Sequence, residues 1–277
     1  MDSFRRDGLT FDVRDGGPPD GDPVVLLHGF PQDSTAWDRV VPALHEQGLR
    51  TLAPDQRGYS PMARPRGRAC YQLRETVEDA LALLDAAGLD SAHVVGHDWG
   101  GIVAWGLAAW HPDRVRTLTA VSVPHPAAMT KAFVSSDQLL RSYYMGLFQL
   151  PFVPERLILS GDGRPLRAML RRGGLPDDAV DRYVQRMREP GALTAALGWY
   201  RALPWSARDP VGTIRGVPTM HVWSTDDAFL GRAATEATAQ FCRSAYRLEV
   251  LDGVSHWIPE LASDRLADLV TEHVRTA

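Results

Sequence analysis

Short apolar runs and helically spaced apolar stripes take turns along this chain. Leu9-Thr10-Phe11-Asp12-Val13 alternates as a half-buried strand does, and Gly16-Gly17-Pro18-Pro19 reads as the loop after it. Val24-Val25-Leu26-Leu27 is continuously apolar, the pattern of a strand buried on both faces. Residues 49–54 form another strand candidate. Leu73, Val77, Ala80, Leu81 and Leu84 then recur at helical spacing, with Gly88 placed to end that helix. Ala92-His93-Val94-Val95 predicts a strand, Ile102-Val103-Ala104-Trp105 a helix, and residues 115–121 a further strand. From about 125 to 210 the pattern is helical, punctuated by Pro and Gly, with no clear strand. Strand patterns return at 217–223 and 246–251, and a helix from about Pro259 closes the chain.

Strands alternating with helices imply an α/β fold, a mostly parallel sheet with helices on both faces. The helical block at 125–210 then reads as a cap inserted into a core made of 1–124 and 211–277. It would lie over the carboxyl ends of the strands, where ligands bind in open α/β sheets.

The strand ending at Val95 runs through Gly96-His97-Asp98-Trp99-Gly100-Gly101 straight into a helix. That spacing is a nucleophile elbow, a strained turn that lifts one side chain off the sheet edge. Small residues two places either side are needed because strand and helix backbones nearly touch there. The elbow residue is Asp98, where a serine would suit acyl transfer. A carboxylate can instead displace at a saturated carbon and leave an ester.

Other parts of a hydrolytic site follow in chain order. His28-Gly29-Phe30-Pro31 after the first buried strand is placed to give a backbone N–H to an oxyanion hole. Phe30 would supply that one and Trp99, after the elbow residue, the second. His256, just past the strand ending at Leu251, is the candidate base. His93 and His221 fall within strands, His28 and His97 within turns, and His45, His111 and His273 read as surface helix positions. His125 borders the helical block and is a candidate for substrate contact. Trp223-Ser224-Thr225-Asp226-Asp227 offers two orienting acids, Asp226 and Asp227, either of which could also cap the next helix.

Composition narrows the partners. The 277 residues are 44% hydrophobic and 23% charged with a net charge of −4, ordinary for a globular chain and without the basic surface that nucleic acid requires. Lys131 is the only lysine, so the cations are almost all arginine. Cys70 and Cys242 have neither metal spacing nor a disulfide framework and are expected as reduced thiols. The first seven residues lack a signal-peptide core, and the longest apolar run, 102–110, is too short to span a bilayer. The expectation is a soluble cytoplasmic protein, monomer or homodimer, with a small-molecule substrate and no metal or organic cofactor.

The assembly resembles the α/β-hydrolase superfamily and, within it, the epoxide hydrolases. The resemblance covers nearly the whole chain. It rests on His28-Gly29-Phe30-Pro31 with Trp37 after it, Asp55-Gln56-Arg57-Gly58-Tyr59-Ser60, the elbow, and His256-Trp257 with Pro259-Glu260. It implies an eight-stranded sheet and places Ser224, Asp227 and Leu230 on the family's Gly-x-x-Asp-x-x-Leu pattern, which favours Asp227 as the acid. Gly198-Trp199-Tyr200-Arg201 looks like the family's Asn-Trp-Tyr-Arg segment, whose tyrosine protonates the epoxide oxygen; Gly198 departs from it. A second lid tyrosine is expected in a segment resembling Tyr-x-x-Tyr-Phe-Gln. Here Tyr144-Met145-Gly146-Leu147-Phe148-Gln149 carries Leu147 in its place, leaving Tyr144 or Tyr143 to reach the oxygen.

The resemblance therefore implies alkylation of Asp98, proton donation by Tyr200, and ester hydrolysis by His256 supported by Asp227, with a vicinal diol as product. Trp37, His125, Tyr144, Leu147 and Trp199 are the expected substrate contacts. Phe133, Met145, Phe148 and Phe152 are further candidates for an apolar lining. Three rival readings use the same fold. A haloalkane dehalogenase would share the triad and bind halide through Trp99, but would leave Tyr200 without a task. A biosynthetic enzyme could open the ring with a substrate hydroxyl. A non-catalytic binding protein would not need all three polar residues.

Overall fold

A computed structural model describes residues 1–276. Its eight-stranded sheet runs in the order β1-β2-β4-β3-β5-β6-β7-β8. The strands are β1 (Ser3–Arg6), β2 (Leu9–Gly16), β3 (Asp22–Leu27), β4 (Leu49–Pro54), β5 (Ala92–His97), β6 (Val115–Val121), β7 (Thr219–Ser224) and β8 (Tyr246–Leu251). β1 and β2 are antiparallel to their neighbours, and every pairing from β4 through β8 is parallel. β1 has no legible sequence pattern because only Phe4 of its four residues is buried, stacked on Phe11 at 4.6 Å.

The continuous apolar runs are explained by two separate cores. Val25 and Leu27 of β3 and Val94 of β5 face α2 (Leu73–Ala86) and α3 (Trp99–Trp110). Val24, Leu26 and Val95 face the opposite way, toward α1 (Val41–Glu46) and α14 (Ser263–Arg275). Strand side chains alternate between faces, so a strand covered on both sides must be apolar at every position. α3 is hydrophobic all round because it lies between the sheet and α2. α2 ends as its glycine suggested: Gly88 has φ +68°, and Leu89 N–H reaches back to the Leu84 carbonyl.

Between β6 and β7 the described residues contain only helices: α4 (Pro126–Ser135), α5 (Gln138–Arg141), α6 (Tyr143–Phe148), α7 (Val153–Ile158), α8 (Ser160–Arg172), α9 (Asp177–Arg188), α10 (Ala192–Arg201) and α11 (Leu203–Ser206). α9 and α10 are tied to the loops at the carboxyl ends of β3 and β4. Trp199 Nε1 donates to the Arg57 carbonyl at 2.8 Å, Arg64 meets Glu189 at 2.6 Å, and Arg186 pairs with Asp55. α12 (Arg232–Ala237) lies between β7 and β8. The expected closing helix is two, α13 (Ile258–Leu261) and α14, separated at Ala262 where φ is −134°. His273, expected at the surface, lies on the buried face of α14.

The junction of β5 and α3 is the tightest point in the sheet. A methyl group on Gly96 would lie 2.3 Å from the Gly100 carbonyl oxygen, and one on Gly100 would lie 2.1 Å from the Leu27 carbonyl oxygen. Both obstacles are backbone, which cannot swing aside. Gly100→Ala is therefore expected to destabilise the protein by at least about 1–3 kcal/mol, the usual cost of overpacking. Urea unfolding measures this, and an unchanged midpoint would contradict the contact.

Candidate active site

The elbow places Asp98 at φ +50° and ψ −120°, a conformation that costs a non-glycine residue energy and is held by the surrounding packing. Its carboxylate is engaged on both oxygens. Oδ1 accepts the Phe30 N–H at 2.9 Å, and Oδ2 lies 3.6 Å from His256 Nε2. Burial works against the Asp98 charge, but His256 and the Phe30 N–H override it and hold the carboxyl below its ordinary range. The Trp99 N–H begins α3 directly after it, a donor position with no partner inside the helix.

His256 sits after β8 with Nδ1 2.8 Å from Asp227 Oδ2. Burial opposes a charge on the ring, yet Asp227 and Asp98 together push it up to about 10. Asp227 Oδ1 accepts the Phe229 and Leu230 N–H groups at 2.8 and 2.9 Å, so this acid both faces the histidine and caps its own turn. Asp226 is exposed and makes its side-chain contact with Thr225. The choice between the two is decided by β7, whose last residue Ser224 bonds the Ser255 carbonyl and aligns the two loops.

A cavity of about 600 Å³ opens above Asp98. Its wall includes Asp98, Trp99 and Ile102 from the sheet side, and Met129, Phe133, Tyr144, Met145, Trp199 and Tyr200 from the inserted helices. Tyr200 is the hub of an aromatic cluster, with ring centroids 4.8 Å from Trp99, 4.9 Å from Phe148, 5.5 Å from Phe30 and 6.1 Å from Tyr144. Burial pushes both phenols well above the ordinary tyrosine range, reinforced at Tyr200 by Tyr144 and then Asp98 and at Tyr144 by Asp98 and then Asp227, so both keep their protons. α10 is held in register by Arg201, which bonds the Phe148 and Leu150 carbonyls and pairs with Glu155. Gly198 has a steric reason: a methyl group there would lie 2.7 Å from the Tyr71 ring.

Three expected substrate contacts lie elsewhere. Trp37 is fully buried in the core between the sheet and α14, because the 3₁₀ turn at Ser34–Trp37 carries it inward. His125 caps α4 through Nδ1, bonds the Gly212 carbonyl through Nε2 and stacks on Phe241 at 4.8 Å, so both nitrogens are used in structure. Leu147 is half-buried outside the cavity wall, which α6 builds from Tyr144 and Met145. Phe148 backs Tyr200 from behind the wall, and Phe152 is 73% exposed.

Sequence reasoning missed a buried polar chain behind the site. Gln32 Oε1 accepts the Gly29 N–H at 3.0 Å and lies 2.8 Å from His97 Nδ1, while Gln32 Nε2 donates to Glu260 at 2.7 Å. His97 Nε2 is 2.9 Å from the His256 carbonyl. Burial pushes His97 down to about 3, so it is neutral. Gln32 directly follows the His28–Pro31 segment and Glu260 closes the His256–Glu260 segment, and that placement was the available signal.

The mostly parallel sheet, the carboxylate elbow and the aligned acid and histidine define an α/β-hydrolase. Comparison with known proteins agrees: the family model for the alpha/beta hydrolase fold matches residues 22–262, and the chain belongs to that family. It is an epoxide hydrolase-like enzyme of the family. It is 35% identical over 273 residues to the AB hydrolase superfamily protein YfhM of Bacillus subtilis, covering 97% of this chain and 95% of that one. It is 31% identical to epoxide hydrolase A of Mycobacterium tuberculosis, over 91% of this chain and 90% of the relative. Among solved structures, epoxide hydrolase A from Mycobacterium thermoresistibile superposes with a TM-score of 0.85 at 25% identity, over 99% of this chain and 97% of that one. No helix among the described residues is long and apolar enough to cross a membrane.

The electrostatics can be tested directly. Asp227→Asn removes the carboxylate nearest Nδ1, so His256 should titrate below about 10, by roughly one pH unit or more. Asp226→Asn, on an exposed side chain, should leave it in place. NMR titration of the imidazole measures both, and a His256 midpoint indifferent to Asp227 would contradict the geometry.

Proposed function

We propose that the protein hydrolyses epoxides to vicinal diols through an ester on Asp98. The observation that carries this reading is that two protonated phenols, Tyr200 and Tyr144, share one cavity with the elbow carboxylate. A displacement at an epoxide carbon needs a nucleophile on one side and a proton for the departing oxygen on the other.

In the first step Asp98 Oδ2 attacks a ring carbon, since Oδ1 is already committed to the Phe30 N–H. The carbon–oxygen bond breaks, its electrons move to oxygen, and a tyrosine O–H supplies the proton. The high phenol pKa keeps that proton in place until an alkoxide, a stronger base, develops. In the second step His256 takes a proton from water, and hydroxide adds to the Asp98 carboxyl carbon. The tetrahedral oxyanion at Oδ1 is held by the Phe30 and Trp99 amides, each worth roughly 10²–10³ in rate. The proton that His256 carries at rest returns to the tyrosinate before this second step, and collapse passes the new carboxyl proton to the departing alkoxide, releasing the diol and restoring the carboxylate. Residues 125–210 would act as the cap and 1–124 with 211–277 as the catalytic core, and a largely apolar cavity of about 600 Å³ suits a small apolar epoxide.

One turnover in ¹⁸O water should place the label in the Asp98 carboxylate, and His256→Gln should accumulate the ester as a mass increase on the intact protein. Unlabelled Asp98 after turnover would refute the covalent route. Tyr200→Phe should slow ester formation by about 10²–10⁴ with epoxides. Halide release from haloalkanes without epoxide turnover would instead favour a dehalogenase.

A further inference from the structure

Glu260 is the most demanding side chain the reaction leaves unused. It is 5% exposed, and Oε1 accepts both Gln32 Nε2 and the Tyr183 hydroxyl at 2.7 Å. Oε2 is buried with no hydrogen-bond partner among the described residues. Leaving a carboxylate oxygen so placed is costly unless the group does something else.

Its partner Gln32 is pulled two ways. Neutral His97 has one N–H but faces two acceptors, Gln32 Oε1 at Nδ1 and the His256 carbonyl at Nε2. Turning the Gln32 amide over would relieve this, with the NH₂ group donating to Nδ1 and the His97 proton going to the His256 carbonyl. That flip would strip the Gly29 N–H of its side-chain acceptor. It would also set the amide oxygen against Glu260 Oε1, which an ionised carboxylate forbids.

We propose that Glu260 is a positioning residue for ester hydrolysis: its carboxylate locks Gln32 with the amide oxygen on Gly29, and so fixes the adjacent Phe30 N–H on Asp98 Oδ1. This rests on the Asp98-ester reading above. Burial pushes the Glu260 carboxyl up to about 7, against the Gln32 and Tyr183 donors and the nearby His256. Arg39 reaches its backbone carbonyl at 3.4 Å, and Asp33 acts on Tyr183. A raised carboxyl is protonated below its pKa, and a protonated Glu260 can donate to a flipped Gln32. The lock therefore holds above about pH 7 and is released below it.

The test combines rapid-mixing mass spectrometry of the ester with ¹⁵N NMR of His97. In the wild type, ester hydrolysis should rise as pH passes upward through about 7, with the His97 proton on Nδ1. Glu260→Ala should slow ester decay about 10-fold, short of the roughly 10²–10³ for losing an oxyanion donor outright, and move the proton to Nε2. Glu260→Gln carries an NH₂ group that can donate to a flipped Gln32 as the protonated acid does, so it should keep ester decay slowed and the His97 proton on Nε2 at every pH. In the wild type that proton moves to Nδ1 as pH rises through about 7, a switch that a purely structural role would not show. Ester decay in Glu260→Ala at the wild-type rate, with His97 unchanged, would overturn the proposal. If no ester forms even in the wild type, the Asp98 reading fails, and the His97 tautomer alone decides whether Glu260 locks Gln32.

Discussion

Everything at this site depends on how closely β5, α3 and the loop after β3 approach one another. The approach is possible only because Gly96 and Gly100 have no side chain, and it forces Asp98 into a backbone conformation that a non-glycine residue rarely adopts. The strain is maintained by the sheet: β5 is hydrogen-bonded on both edges, to β3 and β6, and α3 is packed between the sheet and α2. The same closeness delivers the Phe30 N–H to Asp98 Oδ1 at 2.9 Å. Gly29 belongs to this contact as well, because a methyl group there would sit 2.5 Å from the Asp98 Cβ. Elbow, amide donor and the position of the Asp98 carboxylate are thus one steric solution.

The inserted helices are held to that frame on one flank by directional bonds. Trp199, Arg186, Glu189 and Tyr183, on or just after α9 and α10, all bond residues of the core. This carries Tyr200 to within an aromatic contact of Trp99 and Phe30. The other flank, α4 to α7, is bonded to the loop after β7 through Gln138 and Arg141 and holds most of the exposed large hydrophobic side chains, including Val134, Leu140 and Tyr143. Tyr144 comes from that flank, so the two phenols reach the cavity from elements with different anchoring.

How much of this was legible follows from periodicity and order. β3, β5 and α2 were readable because a two-face-buried strand must be apolar throughout and a one-face-buried helix must be striped. The elbow and the histidine were readable because their backbone demands leave glycines and a fixed chain order. Trp37 and His125 were misplaced because proximity to a motif says nothing about which way a side chain turns; the 3₁₀ turn buries one, and the α4 cap engages the other. Gln32 and Glu260 lie 228 residues apart. No local pattern can signal a bond between them, and only the folded sheet brings them together.

The pairing of Asp98 with His256 also explains how one histidine could serve both steps of the proposed reaction. At rest the ring lies between two carboxylates and is held charged, up to about 10, which makes it a poor base. At 3.6 Å the Asp98 charge contributes roughly 4–5 kcal/mol to that, for an effective dielectric of about 20. This is equivalent to about three pH units. Alkylation converts Asp98 to a neutral ester and cancels that attraction, while Asp227 stays in place. The imidazole then releases its proton more readily and becomes competent to activate water only once there is an ester to hydrolyse. The charged form meanwhile shields and orients the carboxylate that must attack first. On this account the nucleophile controls the base electrostatically, and no conformational change is needed to order the two steps.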